Sequence, residues 1–80
     1  LRSWYVYSFE APFAAIRKKT LLDLYLVRER DERAVWVELK REGKKPTPRQ
    51  QEFIDILRLC GQEVYVWQPS DFDEVERILR

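Results

Sequence analysis

An 80-residue chain with 45% hydrophobic and 36% charged residues is expected to form one domain with a modest core, and its lack of histidine removes His-based triads, His general bases and His metal ligands. A single cysteine, Cys60, excludes an internally stapled secreted fold, and the absence of a signal-like or membrane-length apolar run points to a soluble, intracellular protein. The net charge of +1 hides a basic stretch, residues 1–50 with 12 Lys/Arg against 7 Asp/Glu, and an acidic remainder with 3 against 7, so only the first is suited to facing phosphate.

Ser3 to Ser8 (SWYVYS) is aromatic and β-branched and predicts a first strand. Glu10 to Lys19 contains Pro12 and a short apolar stretch, and reads as a loop with one helical turn. Leu21 to Val27 (LLDLYLV) and Ala34 to Lys40 (AVWVELK) predict two strands of an antiparallel hairpin, joined by the wholly polar RERDER turn. Thr47-Pro48-Arg49-Gln50 then has the form of a helix start, with Thr as N-cap, Pro at the first helical position and Gln three residues after the cap. Phe53, Ile56, Leu57 and Cys60 follow at helical spacing as the expected apolar face, with Cys60 a small core residue and Gly61 the stop. Glu63 to Trp67 (EVYVW) is the next strand. Ser70 or Asp71 should cap a final helix with Phe72, Val75 and Leu79 on its inner side. A strand, a helix and a strand in succession imply a parallel crossover, giving an α/β fold with a mixed sheet flanked by helices in the order β-(loop/short α)-β-β-α-β-α.

Strand alternation sets Leu21, Asp23, Tyr25 and Val27 on one face and Leu22, Leu24 and Leu26 on the other; on the next strand Trp36, Glu38 and Lys40 share a face opposite Val35, Val37 and Leu39. If the hairpin brings Asp23 beside Glu38, two carboxylates converge at the end of a sheet, a hard oxygen site suited to Mg²⁺. Lys40 beside them can position a water or neutralise phosphate charge, and the combination suits phosphodiester hydrolysis without histidine. The plainer alternative keeps Glu38 and Lys40 as solvated strand-end charges, with Asp23 paired to Lys40. Two basic clusters, Arg17, Lys18 and Lys19, and Lys40, Arg41, Lys44, Lys45 and Arg49, are solvated faces or contacts for backbone phosphates.

Asp23, the Glu38-Leu39-Lys40 triplet, Gly43, the Thr47-Pro48-Arg49-Gln50 helix start and Gly61-Gln62-Glu63-Val64-Tyr65-Val66-Trp67-Gln68-Pro69-Ser70-Asp71 together resemble the VRR-NUC group of the PD-(D/E)XK nuclease superfamily. Residues 21–80 carry the resemblance; Thr20-Leu21-Leu22-Asp23 departs from it where that group has Gly-x-Pro-Asp. The resemblance implies a restriction-endonuclease-like fold and a Mg²⁺- or Mn²⁺-dependent DNA endonuclease, with Asp23 and Glu38 as metal ligands, the Leu39 backbone carbonyl and Glu10 as further ligands, Lys40 as catalytic lysine, and Gln50 orienting Lys40 or the water. It also implies branched or junction DNA as substrate, a homodimer, and the cytoplasm of a bacterial or phage-infected cell. Tyr5 and Tyr7, with Trp4, are the aromatic candidates for the dimer surface. An alternative within the same fold is a module that binds DNA or a protein partner without cutting. A third reading is a small α/β domain unrelated to nucleic acid.

Overall fold

Four strands and two helices build a mixed sheet in the computed structural model, which describes residues 3–8 and 22–80. Strand β1 spans Tyr5–Ser8, β2 Leu24–Arg28 and β3 Arg33–Leu39; helix α1 spans Pro48–Leu59, β4 Glu63–Trp67, and a 3₁₀ turn at Pro69–Asp71 leads into α2, Phe72–Ile78. Spatial order follows chain order, β1-β2-β3-β4, with the first two pairings antiparallel and β3 parallel to β4 across α1. This is the α/β architecture expected. Glu10, Arg17, Lys18, Lys19 and the Thr20-Leu21 turn lie outside the described residues. Among the described residues no helix is long and apolar enough to cross a membrane.

Each sheet face buries its own cluster. Trp4, Leu26, Val35, Val37 and Trp67 pack with Leu79 and with Val75 and Ile78 of α2 on one face. Leu22, Ile54 and Val64 pack with Trp36, Phe53, Leu57 and Val66 beneath α1 on the other. Leu22 was expected on the Leu24–Leu26 side. A bend at Leu22 and Asp23 precedes β2, so the two-residue alternation does not extend back to Leu22, although Asp23 still donates its N–H to the Val37 carbonyl at 3.1 Å.

Helix α1 begins and ends as its sequence directs. Gln50 donates its N–H to Thr47 Oγ1 at 3.2 Å and Thr47 donates its own to Gln50 Oε1 at 3.0 Å, the reciprocal capping box. At the other end Gly61 adopts φ +79°; it donates to the Arg58 carbonyl, and Gln62 donates to that of Leu57. Those are the two bonds of a Schellman stop, which needs a residue free of Cβ crowding at that position.

The helix presents a different stripe from the one expected. Ile54 is fully buried, with Phe53 and Leu57 half-buried, whereas Ile56 is 50% exposed and Cys60 lies at the surface. The sequence carries two overlapping stripes of helical spacing; the one in use runs Gln50, Phe53, Ile54, Leu57. At α2, Asp71 accepts the Gln68 N–H at 2.8 Å and so closes the preceding turn, while Phe72, expected inside, is exposed.

The far end of the sheet is fastened to the end of α2. Trp4, offered above as a surface residue, is buried, and its Nε1 donates to the Leu79 carbonyl at 2.9 Å. Arg28, counted in the polar turn by its sequence, is buried at the end of β2. Its guanidinium lies 4.3 Å from the Trp4 ring centroid, donates to the Leu79 and Arg80 carbonyls, and is paired with Asp31. Arg33 donates to the Ile78 carbonyl at 2.8 Å while pairing with Glu63. These donors satisfy carbonyls that the last turn of a helix leaves open.

Truncation tests the observed burial of α1: Ile54→Ala should cost about 3 kcal/mol in urea unfolding, and Ile56→Ala under about 1 kcal/mol.

Candidate functional site

Alternation along β3 turns Glu38 under the first turn of α1, where only 2% of the residue is exposed. Its Oε2 accepts two donors, Lys40 Nζ at 3.0 Å and Gln50 Nε2 at 2.8 Å. Its Oε1 is buried and has no hydrogen-bond partner among the described residues. An acceptor left that way costs roughly 1–3 kcal/mol and calls for an explanation.

Asp23 stands beside this group. Its Oδ2 accepts the Leu39 N–H at 2.9 Å, which fixes the carboxylate against the end of β3. Burial is the main cause that pushes the Glu38 carboxyl above its ordinary value; the Lys40 ammonium opposes the shift and the nearby Asp23 charge adds to it. The structure thus brings Asp23, Glu38, Lys40 and Gln50 together. The ion pair here is Lys40 with Glu38, not the Asp23–Lys40 pair of the plainer alternative.

Gln50 caps α1 and meets Glu38 in the same conformation. Its Oε1 is held by the Thr47 N–H, which leaves the amide nitrogen facing Glu38. A glutamate at this position would cap as well but would set a second negative charge against a buried one. The cap bond and the bond to Glu38 therefore share one side-chain conformation.

Of the expected phosphate contacts, Arg41, Lys44, Lys45 and Arg49 are all exposed, on the loop after β3 and the first turn of α1. That loop is held in place: Gly43, at φ +76°, donates its N–H to Gln68 Oε1 at 2.8 Å, and the Glu42 carboxylate accepts from the backbone and hydroxyl of Ser70. These ties were not foreseen from the sequence, because Gln68 and Ser70 are about 25 residues from the loop they hold. The cations stand at the carboxyl ends of β3 and β4 and near the amino end of α1, where backbone dipoles also favour anions.

Two carboxylates with one orphaned oxygen, next to the Leu39 backbone, form a hard oxygen donor set. Among the described residues no group of three or more His, Cys, Asp or Glu could hold a metal. Two carboxylates are the donor number that Mg²⁺ and similar ions take before completing their shell with water, and too few for a closed zinc site.

Compared with protein-family models, with curated proteins and with solved structures, the chain matches none of them.

Two substitutions bracketing the buried carboxylate should move the melting temperature in opposite directions. Because the folded state holds the Glu38 proton more tightly than the unfolded chain, stability falls as pH rises above the ordinary value of 4.5, through the window up to the raised one. Glu38→Gln escapes that loss, so it should melt above the wild type at neutral pH, with the gap closing as pH falls toward 4.5. Gln50→Glu should melt below the wild type at neutral pH and recover in acid; a residue that served only as a cap would tolerate Glu at all pH values. Circular dichroism melts across pH read both.

Proposed function

We propose that the chain is a divalent-metal-dependent DNA endonuclease of the VRR-NUC kind, with the restriction-endonuclease-like fold of the PD-(D/E)XK superfamily. The observation that carries this reading is the buried Glu38 carboxylate, with one oxygen shared by Lys40 and Gln50 and the whole group set beside the Asp23 carboxylate. Two carboxylates set side by side, one of them buried, repel one another, and a bound cation would offset that repulsion.

Asp23 and Glu38, with the Leu39 carbonyl, would hold Mg²⁺ or Mn²⁺. When bound, the cation supplies Lewis-acid activation and neutralises charge on the phosphate. Lys40 keeps an ammonium at the mouth of the carboxylate pair, where it can orient an attacking water and offset negative charge that grows on the phosphate oxygens. Gln50 acts as a positioning residue: by holding Glu38 from the helix side it sets where Lys40 rests. Arg41, Lys44, Lys45 and Arg49 would contact backbone phosphates, giving binding that tolerates sequence and weakens with salt. The same resemblance extends the reading to branched DNA cut by a homodimer, with 5′-phosphate and 3′-hydroxyl products.

Purified protein incubated with branched and linear DNA should cleave with Mg²⁺ and stop with EDTA, and Lys40→Ala or Glu38→Ala should slow it by about a hundredfold or more. Equal, EDTA-insensitive background from all three proteins would overturn the hydrolytic reading. DNA binding without cleavage, indifferent to Mg²⁺ and to Asp23→Ala, would leave the non-cutting module in its place.

A further inference from the structure

The sheet face that carries Asp23 and Glu38 also carries a row of aromatic rings one step along the strands. Tyr25 follows Asp23 by two residues and Trp36 precedes Glu38 by two, a spacing of roughly 7 Å along each strand. Tyr7, Tyr25 and Trp36 are direct partners across β1, β2 and β3. The Tyr25 and Trp36 rings are 4.3 Å apart between centroids and tilted by 37°, and Phe53 of α1 meets Trp36 edge-on at 6.4 Å. Phe53 therefore bounds one end of the row. At the other end Tyr7 is 55% exposed, and Tyr5, on the same face, 60%.

A cross-strand aromatic ladder stabilises a sheet through contact between its rings. Contact alone does not account for a ladder whose outer members face water on an edge strand, next to a carboxylate pair and a run of exposed cations. We propose that this shelf binds unpaired nucleobases, so that the strand passing the carboxylate pair is single-stranded or splayed at that point. The inference rests on the reading of Asp23, Glu38 and Lys40 as the cutting site and names the form of nucleic acid that site receives.

The layout suits such a strand. Along the chain Trp36 and Glu38 precede Lys40 on β3, and the exposed Arg41, Lys44 and Lys45 follow it on the loop, so a phosphate at Lys40 would have ring-bearing strand behind it and cationic loop ahead. Bases stack on the shelf while the backbone runs toward the cations. Base–aromatic stacking requires an accessible ring face on the base and tolerates any base identity, whereas an intact duplex keeps those faces inside its own stack.

Binding measured in EDTA tests this without cleavage. A labelled oligothymidine and a hairpin duplex of equal phosphate count are titrated at fixed salt with wild type, Tyr7→Ala, Tyr7→Phe and Tyr25→Leu, after circular dichroism shows each variant folded. Wild type should prefer the single strand. Tyr7→Ala and Tyr25→Leu should each weaken single-strand binding by roughly fivefold or more and leave the duplex little changed, while Tyr7→Phe, which keeps the ring, retains affinity. Unchanged single-strand affinity in the folded variants overturns the shelf. So does a change in sedimenting mass on Tyr7→Ala without a change in affinity, which would make the surface a contact between copies of this chain. Loss of the stacking effect leaves the cleavage results standing, and a chain that stacks single strands but never cuts removes only the hydrolytic reading.

Discussion

A carboxylate under a helix is the constraint from which much of this molecule follows. Removing Glu38 from water is costly unless donors meet it, and the two that do come from different distances in the chain: Lys40 two residues on, Gln50 twelve residues on. The second donor dictates that α1 must begin over the end of β3, and the helix start is built to hold it there. Thr47 fixes the helix end and the Gln50 amide together, so the backbone chemistry that starts α1 also aims its side chain. Neutral Gln, not Glu, then follows from the charge it faces.

The features legible in the sequence are those encoded by backbone chemistry or by strict alternation. Thr47-Pro48 and Gly61 mark the ends of α1 because N-caps and left-handed stops depend on local geometry alone. The shared face of Trp36 and Glu38 follows from a two-residue period. The burial of Ile54 in place of the expected Ile56 was not legible, because the sheet decides which side of α1 is covered. Leu22 escaped the alternation because the strand bends just after it. Arg28 looked like turn polarity since, besides Asp31 in the turn itself, its partners are the Leu79 and Arg80 carbonyls about 50 residues away. For the candidate site, residue types and the common face were legible, while the roles of Gln68 and Ser70 in bracing the cationic loop depend on contacts between distant segments.

Local rules hold through most of the fold and are broken at the carboxylate pair. Strand pairings, caps and the two apolar clusters agree with one another, yet Glu38 is a buried acid disfavoured in its charged form and set beside a second carboxylate. Such a conflict persists only where the surrounding structure holds it in place. Here the supporting consistency is close by: the capping box on one side and the Asp23 bond to the Leu39 N–H on the other.

Trp4 and Leu79, 75 residues apart, are joined by one hydrogen bond, with the guanidinium groups of Arg28 and Arg33 over the indole ring. Closing a loop of that length costs roughly 4 kcal/mol in chain entropy, so the contact cannot nucleate folding and forms once the sheet has gathered both partners. In the native state it acts as a non-covalent cross-link. Helix α2 has seven residues, too few to persist alone, and β1 has four. Fraying at one end of the chain therefore removes the support of the other, and the first strand and last helix should come loose as a single cooperative unit.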